Sequence, residues 1–334
     1  MKALLSVRPG GPETLELRDI PDPAPAAGEL LVRVSTCGVN FPDALIIDDR
    51  YQARFARPFS PGGEVSGVVE AVGAGVSGHA PGDQVVAFVM LGGMAERLCV
   101  PAQAATRIAA GEDGAVMAQL VTTYATSWHA LVDRGHLAAG ETVLVLGAAG
   151  GVGIAAVDIA AAMGARVVAG VSSPEKAAAA RAAGAYDAFI YPGRLATAAD
   201  RRALAGHIKE AVGPHGADIV YDPVGGALTE AAFRALAWGG RHLVVGFPAG
   251  IPSIAANLAL LKGGALIGVF MGAFAARAPA AARRNIDTLL ELCRSGRIRP
   301  TVSARYPLER AAEAIAAVAA RRAIGKTVVD IDSA

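Results

Sequence analysis

Val143-Leu-Val-Leu-Gly-Ala-Ala-Gly-Gly-Val-Gly153 is the stretch on which the reading of this chain turns. The continuous apolar run from Thr142 to Gly147 has the character of a strand buried on both faces. It enters a glycine-rich turn, and Gly151 to Met163 then carries a helical pattern. A strand, glycine turn and helix in this order put free N–H groups and the positive end of a helix dipole where a pyrophosphate can sit. Gly150 and Gly151 let the backbone approach a phosphate with no Cβ in the way, Val152 continues the first turn, and Gly153 lets the helix pack closely on the strand. Ala148 stands where the common GxGxxG pattern has its first glycine, so the match is AxGxxG. A tight strand–helix turn without a ligand is the competing reading; the alternation on either side argues for the dinucleotide site.

Downstream, apolar segments predict strands at Arg166–Val171, Ala188–Tyr191, Asp218–Tyr221, Arg241–Gly246 and Leu266–Phe270. Helices are predicted between them at Pro174–Ala183, Ala198–Val212 and Leu228–Leu236. This rhythm is that of an α/β parallel sheet covered on both sides. Upstream, Leu30–Ser35, Glu64–Val72 and Gln84–Val89 read as short strands divided by turns such as Pro61-Gly62-Gly63, which suggests a barrel-like β unit. Ala115–Val132 reads as a helix. After Phe270 the alternation stops: Ala281–Ser295 and Leu308–Arg321 look helical and Lys326–Ile331 looks like a last strand. The expected division is 1–118, 119–262 and 263–334, the tail returning to the first domain.

With 334 residues, 53% of them hydrophobic, the chain can bury a large core. The formal charge of +1, from 31 basic and 30 acidic residues with no run of like charges, argues against a nucleic-acid footprint. Cys37, Cys99 and Cys293 are scattered and odd in number, so neither a disulfide framework nor a cysteine-rich zinc site is expected. The apolar opening Met1–Val7 ends at Arg8-Pro9-Gly10, too short for a secretory core, and no stretch approaches the roughly 20 apolar residues of a membrane span. A cytoplasmic location is the resulting expectation.

The second strand of the alternation bears on the cofactor. A site for NAD places Asp or Glu there, gripping the ribose 2′-hydroxyl. Here the segment is Gly170-Val-Ser-Ser-Pro-Glu-Lys176, with Ser172 and Ser173 able to donate to a 2′-phosphate and Lys176 able to neutralise it. NADPH is therefore the expected cofactor. A serine cap on the helix opening at Pro174 explains the same residues and is compatible with it.

Gly38-Val-Asn-Phe-Pro-Asp43, Tyr51-Gln52, Pro61-Gly-Gly-Glu-Val-Ser-Gly67, Gly82-Asp-Gln-Val85 and the Ala-Ala-Gly-Gly-Val-Gly turn occur in that order. Together they resemble the zeta-crystallin-like quinone oxidoreductases of the medium-chain dehydrogenase/reductase superfamily, over essentially the whole chain. The resemblance implies a GroES-like β-barrel-type catalytic domain built from both chain ends, a central Rossmann domain, a cleft between them, and a homodimer. Zinc alcohol dehydrogenases of that superfamily carry Cys where this chain has Asn40 and His where it has Gly63, so no metal is expected. Without a Lewis acid the acceptor must itself spread the arriving charge, as a quinone or an α,β-unsaturated carbonyl does. Reduction of quinones by NADPH is the leading expectation. An enoyl-thioester or enone reductase is the alternative enzyme, kept open by Arg50, Arg54 and Arg57, and a non-catalytic NADPH-binding protein, crystallin-like or RNA-binding, is the alternative of another class.

By the same resemblance, Asn40 faces the nicotinamide, unless it is a turn residue bonded to its own backbone. Tyr51 matches a tyrosine near the nicotinamide whose phenol could donate to a developing enolate, or merely wall the pocket. Thr126 matches a cofactor-contacting threonine, whereas His129 on the same helix is expected to be packed. Tyr191 is assigned to the adenosine end, and Arg322 to the 2′-phosphate. Gly225, Gly246-Phe247-Pro248 and Gly268-Val269-Phe270 follow strand ends, where open α/β sheets bind ligands. Asp48-Asp49-Arg50 departs from the glycine that family members often carry there.

Overall fold

Short β segments separated by glycine and proline turns build the first of two units, Met1–Thr122 with Pro300–Ala334; the second unit is Thr123–Arg299. The computed structural model describes residues 1–192, 195 and 197–332. In the first unit β1 (Lys2–Ser6) and β2 (Leu15–Asp19) form an antiparallel pair. A seven-stranded sheet is organised on β3 (Glu29–Val39), which pairs antiparallel with β4 (Glu64–Val72) and with β6 (Arg97–Pro101). Beyond β4 lie β5 (Gln84–Phe88) and β7 (Ala105–Arg107). On the other side the C-terminal strand Lys326–Asp330 runs antiparallel to β3, with Thr327 opposite Val39, and Val302–Pro307 pairs beyond it. Leu30, Val32 and Val34 alternate into a core with Val65, Val69, Val85 and the Ile315 face of the helix Ala311–Ala319. A short helix, α1 (Phe41–Ile47), leaves the end of β3.

The second unit holds six parallel strands: β8 (Thr142–Leu146), β9 (Arg166–Val171), β10 (Asp187–Ile190), β11 (Ala217–Asp222), β12 (Leu236–Val244) and β13 (Ala265–Gly268). Their spatial order is β10-β9-β8-β11-β12-β13. The chain works outward from β8 on one side and then returns to build the other, so β8 and β11 flank the switch point where open α/β sheets bind ligands. Val143, Leu144, Val145 and Leu146 are all fully buried, which is why the run shows no alternation. Truncating Leu144 or Leu146 to Ala would cost about 2–5 kcal/mol.

Three differences from the sequence reading have physical causes. The expected helix Ala115–Val132 is a series of α-helical turns, Gly114–Gln119 and Ala125–Trp128, interleaved with wider π turns at Leu120–Tyr124 and His129–Arg134. The chain leaves the second unit near residue 300 and not near 263: β13 hydrogen-bonds to β12, and the helix Pro279–Arg294 packs its Leu289 and Leu290 inward within that unit. Leu236, expected to end a helix, instead begins β12, because the helix there stops at Phe233.

Helix α2 (Gly151–Ala162) starts directly from the glycine turn. A Cβ at Gly153 would lie 2.2 Å from the Gly147 carbonyl oxygen and 2.9 Å from the Ala148 Cα, both backbone atoms that cannot swing aside. Gly206 provides the contrast, since it lies within α3 (Ala198–Val212) with nothing within 4 Å of its Cβ position. Gly153→Ala should lower the melting temperature and weaken dinucleotide binding. Gly206→Ala should leave binding unchanged and stabilise by roughly 0.5–1 kcal/mol through helix propensity. Paired thermal melts and dinucleotide titrations check both.

Candidate functional site

All six parallel strands of the second unit point their C-terminal ends the same way, and those expected cofactor residues that follow strands in sequence lie at these ends. β8 ends in Gly147, whose φ of 58° is the left-handed conformation that turns the chain back toward the helix. No side chain caps α2: its N-cap is Gly150, exposed and extended. The amides of Gly151, Val152 and Gly153 open the helix and, being in its first turn, have no carbonyl one turn back to bond. A helix start left open this way fits an anion.

The tips of β9 and β10 bring together the residues assigned to the adenosine end. The Tyr191 amide donates to the Val171 carbonyl at 2.9 Å, so Tyr191 sits beside the start of Ser172-Ser173. The Lys176 ammonium donates to Ser172 Oγ at 3.1 Å, while Ser173 Oγ accepts the Lys176 amide at 3.3 Å as the cap of Pro174–Ala182. Ser173 therefore caps the helix and its hydroxyl donates to Glu175, whose carboxyl it holds below the ordinary value, while Ser172 orients the lysine. The β9 tip itself carries no carboxylate; Glu175, exposed on the helix, is the acid bonded to Ser173.

On the other side of the switch point, Gly225 has a φ of 74° and lies so close to Phe247 that a Cβ would meet the Phe247 Cβ at 2.5 Å. Gly246, Phe247 and Pro248 follow β12, and Phe247 is exposed. Val269 donates its amide to the Val244 carbonyl, Phe270 is exposed, and the Gly268 carbonyl accepts from Arg134 Nε at 3.3 Å. Thr126 is half-buried on Ala125–Trp128. His129 is packed: its ring stacks on Phe274 at 3.9 Å and bonds Asp133 at 2.8 Å. Arg322 belongs to the first unit, exposed just after the helix Ala311–Ala319, and is not among the residues gathered at the strand ends.

Two buried networks went unseen in the sequence. Asp222, at the end of β11, accepts from the Val224 and Gly225 amides at 2.9 and 2.8 Å with one oxygen. Its other oxygen takes the Thr229 hydroxyl at 2.6 Å and lies 3.1 Å from His242 Nε2. Burial pushes the Asp222 carboxyl up, but the contacts with His242, the Gly225 amide and the Thr229 hydroxyl outweigh it and hold the group below its ordinary value. This carboxylate shapes the Val224-Gly225 turn, and Val224 in turn packs where a Cβ on Gly147 would fall. Separately, Tyr221 and Ser127 share a hydrogen bond of 2.9 Å, and Ser127 Oγ donates to the Val152 carbonyl at 2.9 Å, which ties β11 to the first turn of α2. An Asp at a strand end two and three residues before Val-Gly was the only sequence signal for the first network; the second had none.

In the first unit, Asn40 is the N-cap of α1, in a capping box with Asp43, and has long-range partners as well. It precedes α1, and its Oδ1 accepts from Lys326 Nζ at 2.9 Å while its Nδ2 lies 3.5 Å from Glu64 Oε2. Lys326 and Glu64 form a buried ion pair at 2.7 Å. Asp43 accepts the Asn40 amide at 2.7 Å and the Gly62 amide at 3.3 Å. Tyr51 is half-buried against the core of this unit, which pushes its phenol up and keeps it protonated. Of the three arginines, Arg57 is committed to Ser6, the Ile47 carbonyl and Asp49, whereas Arg50 and Arg54 are exposed.

The donors at the position of a catalytic zinc do not fit one. A zinc of this type needs about three N, S or O ligands. Here the Asn40 and Glu64 oxygens are both held by the Lys326 ammonium, and Gly63 offers no side chain. Among the described residues no group of three His, Cys, Asp or Glu side chains is placed to hold a metal. Nor is any described helix long and apolar enough to cross a membrane.

Residues 26–133 match the alcohol dehydrogenase GroES-like domain family and residues 151–290 the zinc-binding dehydrogenase family. A quinone oxidoreductase-like protein 2 from Bos taurus is 35% identical over 305 residues, 91% of this chain and 85% of that protein. The quinone oxidoreductase of Thermus thermophilus, solved also in complex with NADPH, matches with a TM-score of 0.85 at 34% identity, over 99% of this chain and 100% of that one. A mycocerosic acid synthase-like polyketide synthase from Mycobacterium tuberculosis is 34% identical over 333 residues, 98% of this chain but 15% of that protein.

Asp43 gives the site a pH signature. Burial lifts its carboxyl from 3.8 to about 6, against the Asn40 and Gly62 amides and the nearby Lys326 charge. Between those values the folded protein retains a proton that the unfolded chain has released, so stability falls as pH rises from roughly 4 to 6. Asp43→Asn, which cannot ionise, should lack this component. The stability difference between the two proteins should shift in the variant's favour by roughly 3 kcal/mol over that window, as read by urea denaturation at pH 4 and pH 7.

Proposed function

The chain belongs to the quinone oxidoreductase family of the medium-chain dehydrogenase/reductase superfamily, and from that premise we propose that it reduces quinones with NADPH and without a metal ion. Bound, NADPH supplies a hydride; with one proton this converts a quinone to its hydroquinone. The open first turn of α2, at Gly151, Val152 and Gly153, takes the pyrophosphate. Ser172, Ser173 and Lys176 take the 2′-phosphate, with Tyr191 beside them and Arg322 as a further contact. Thr126, Gly225, Gly246-Phe247-Pro248 and Gly268-Val269-Phe270 line the remainder. Asn40 and Tyr51 serve the nicotinamide and the acceptor, Asn40 as a hydrogen-bond donor and Tyr51 as a proton or hydrogen-bond donor.

The observation that carries the reading is the Lys176–Ser172 contact at the tip of β9, where a site for NAD would place an acid. The metal-free scheme is supported by the Lys326 ammonium, which engages the oxygens of both Asn40 and Glu64, and it restricts the acceptor to one that delocalises charge by itself. A second reading, reduction of an enoyl thioester, is favoured by the alignment of nearly the whole chain with a segment of a polyketide synthase, and by the exposed Arg50 and Arg54. The state we propose is a homodimer, supported by the edge strand β13 and by the exposure of Leu266, Trp238, Leu260 and Leu261.

Lys176→Ala should weaken NADPH binding about tenfold, on the order of 1.4 kcal/mol, and leave NADH binding unaltered. An unchanged ratio of the two affinities in fluorescence titrations would remove the assignment. Turnover of NADPH with a panel of quinones and enoyl thioesters, run with and without a chelator, tests the reaction itself. Quinone reduction that survives chelation is expected, preference for thioesters would move the second reading ahead, and loss of activity on removal of stoichiometric zinc would overturn the metal-free scheme. In the same assays Tyr51→Phe should lower turnover on the order of 100-fold if the phenol supplies the proton.

A further inference from the structure

We infer that Lys326 is a positioning residue for Asn40: it sets which way round the Asn40 amide lies, so that Asn40 offers an N–H to the reactants. This rests on the reading of Asn40 as a contact of cofactor or acceptor.

An asparagine amide has an acceptor end and a donor end, and its neighbours decide which is which. The ammonium of Lys326 can only donate. The Asn40 atom 2.9 Å from it is therefore the oxygen. The carboxylate of Glu64 can only accept, and the Asn40 atom 3.5 Å from it is therefore the nitrogen. Two neighbours of opposite charge select the same orientation. The long approach to Glu64 occupies at most one of the two Nδ2 protons, and the other is available on the half-buried side chain.

The strand pairing delivers the lysine to this place. Thr327 lies opposite Val39 in the antiparallel ladder, so Lys326 comes alongside Asn40, 286 residues away in the chain. Glu64 arrives from the opposite side, paired with Gly38 at the end of β3. Gly38 leaves the room for both: a Cβ there would lie 2.0 Å from Glu64 Oε1 and 2.9 Å from Lys326 Cε. Lys326 is 2% exposed and Glu64 0%. Burying such a pair costs several kcal/mol per ion in desolvation, and well-packed apolar residues of like volume are often at least as stable. Stability alone therefore does not account for the pair. Holding a neutral amide in one of its two orientations does, since the pair presents a pure donor and a pure acceptor to its two ends.

The experiment is a cycle on the whole enzyme, with kcat for a quinone and KM for NADPH measured separately. Lys326→Met is combined with Glu64→Gln, so that no carboxylate is left buried without its partner. This double change should lower kcat about tenfold with KM for NADPH unaltered, and should have less than a twofold effect when Asn40→Ala is already present. Lys326→Arg, which retains a pure donor, should keep kcat within about threefold of the parent. An equal loss of kcat in both backgrounds would show that Lys326 acts independently of Asn40 and would overturn the inference alone. No loss with Asn40→Ala would overturn the reading of Asn40 and the inference with it. Should the neutral pair not fold, Asn40→Asp decides: an aspartate keeps the Lys326 contact but has no N–H, so it should lose as much activity as Asn40→Ala, and retained activity would refute the inference.

Discussion

The second unit depends on one contact, the absence of a side chain where the first turn of α2 crosses the end of β8. At Gly153 the space for a Cβ is filled by the Gly147 carbonyl and the Ala148 backbone. The helix therefore starts directly against the strand, with its dipole aimed past Gly150 and no capping side chain in the way. What looked like a weakened motif, Ala148 in place of glycine, costs nothing geometrically. Gly147 supplies the left-handed turn one residue earlier, and Ala148 is fully buried. The Asp222 carboxylate holds the neighbouring Val224-Gly225 turn against Gly147. Ser127 and Tyr221 hold the helix from below through the Val152 carbonyl. The open helix start proposed for the pyrophosphate is thus a backbone feature braced by buried polar side chains.

The first unit solves a different problem, the burial of a cation of its own among polar side chains. The Lys326 ammonium stands within hydrogen-bond distance of Glu64 and Asn40, and Asp43 beside them is satisfied by two backbone amides. A fixed positive charge is retained, but a saturated ammonium has no open coordination position and cannot polarise an acceptor oxygen as a metal does. In the metal-free scheme proposed above, such a site contributes orientation and hydrogen bonding, with the reactivity carried by the dinucleotide and the acceptor.

How legible these features were in the sequence follows from how local their causes are. The strand Arg166–Val171, the helix Ala198–Val212 and the start of α2 were readable to the residue, because periodicity, proline and glycine act within a few positions. Ser172, Ser173 and Lys176 were readable for the same reason, as a strand tip and a helix cap four residues long. The end of the second unit near residue 300 was missed because it is decided by which sheet β13 joins, and that pairing leaves no mark on four residues of strand. Lys326 was missed because its role comes from the ladder between Lys326–Asp330 and β3, across 286 residues. The partner of Glu64 likewise could not be named without that register. Arg57 was grouped with Arg50 and Arg54 on charge alone, whereas its contacts with Ser6 and Ile47 bind it to the fold.

The buried polar groups of the two units obey one rule. Asp222 with His242 and Thr229, and Lys326 with Glu64 and Asn40, each place charge in a dry interior where an unpaired group would cost several kcal/mol. Each also satisfies a polar group whose direction matters: the amides of a glycine turn in one, the carbonyl of an asparagine in the other. An apolar replacement could fill the same volume but could not fix a direction, since dispersion contacts are not oriented. Charge is therefore retained in these cores at the points where a donor or acceptor must face one way, and apolar packing supplies the remaining interior, as in the fully buried run Val143–Leu146.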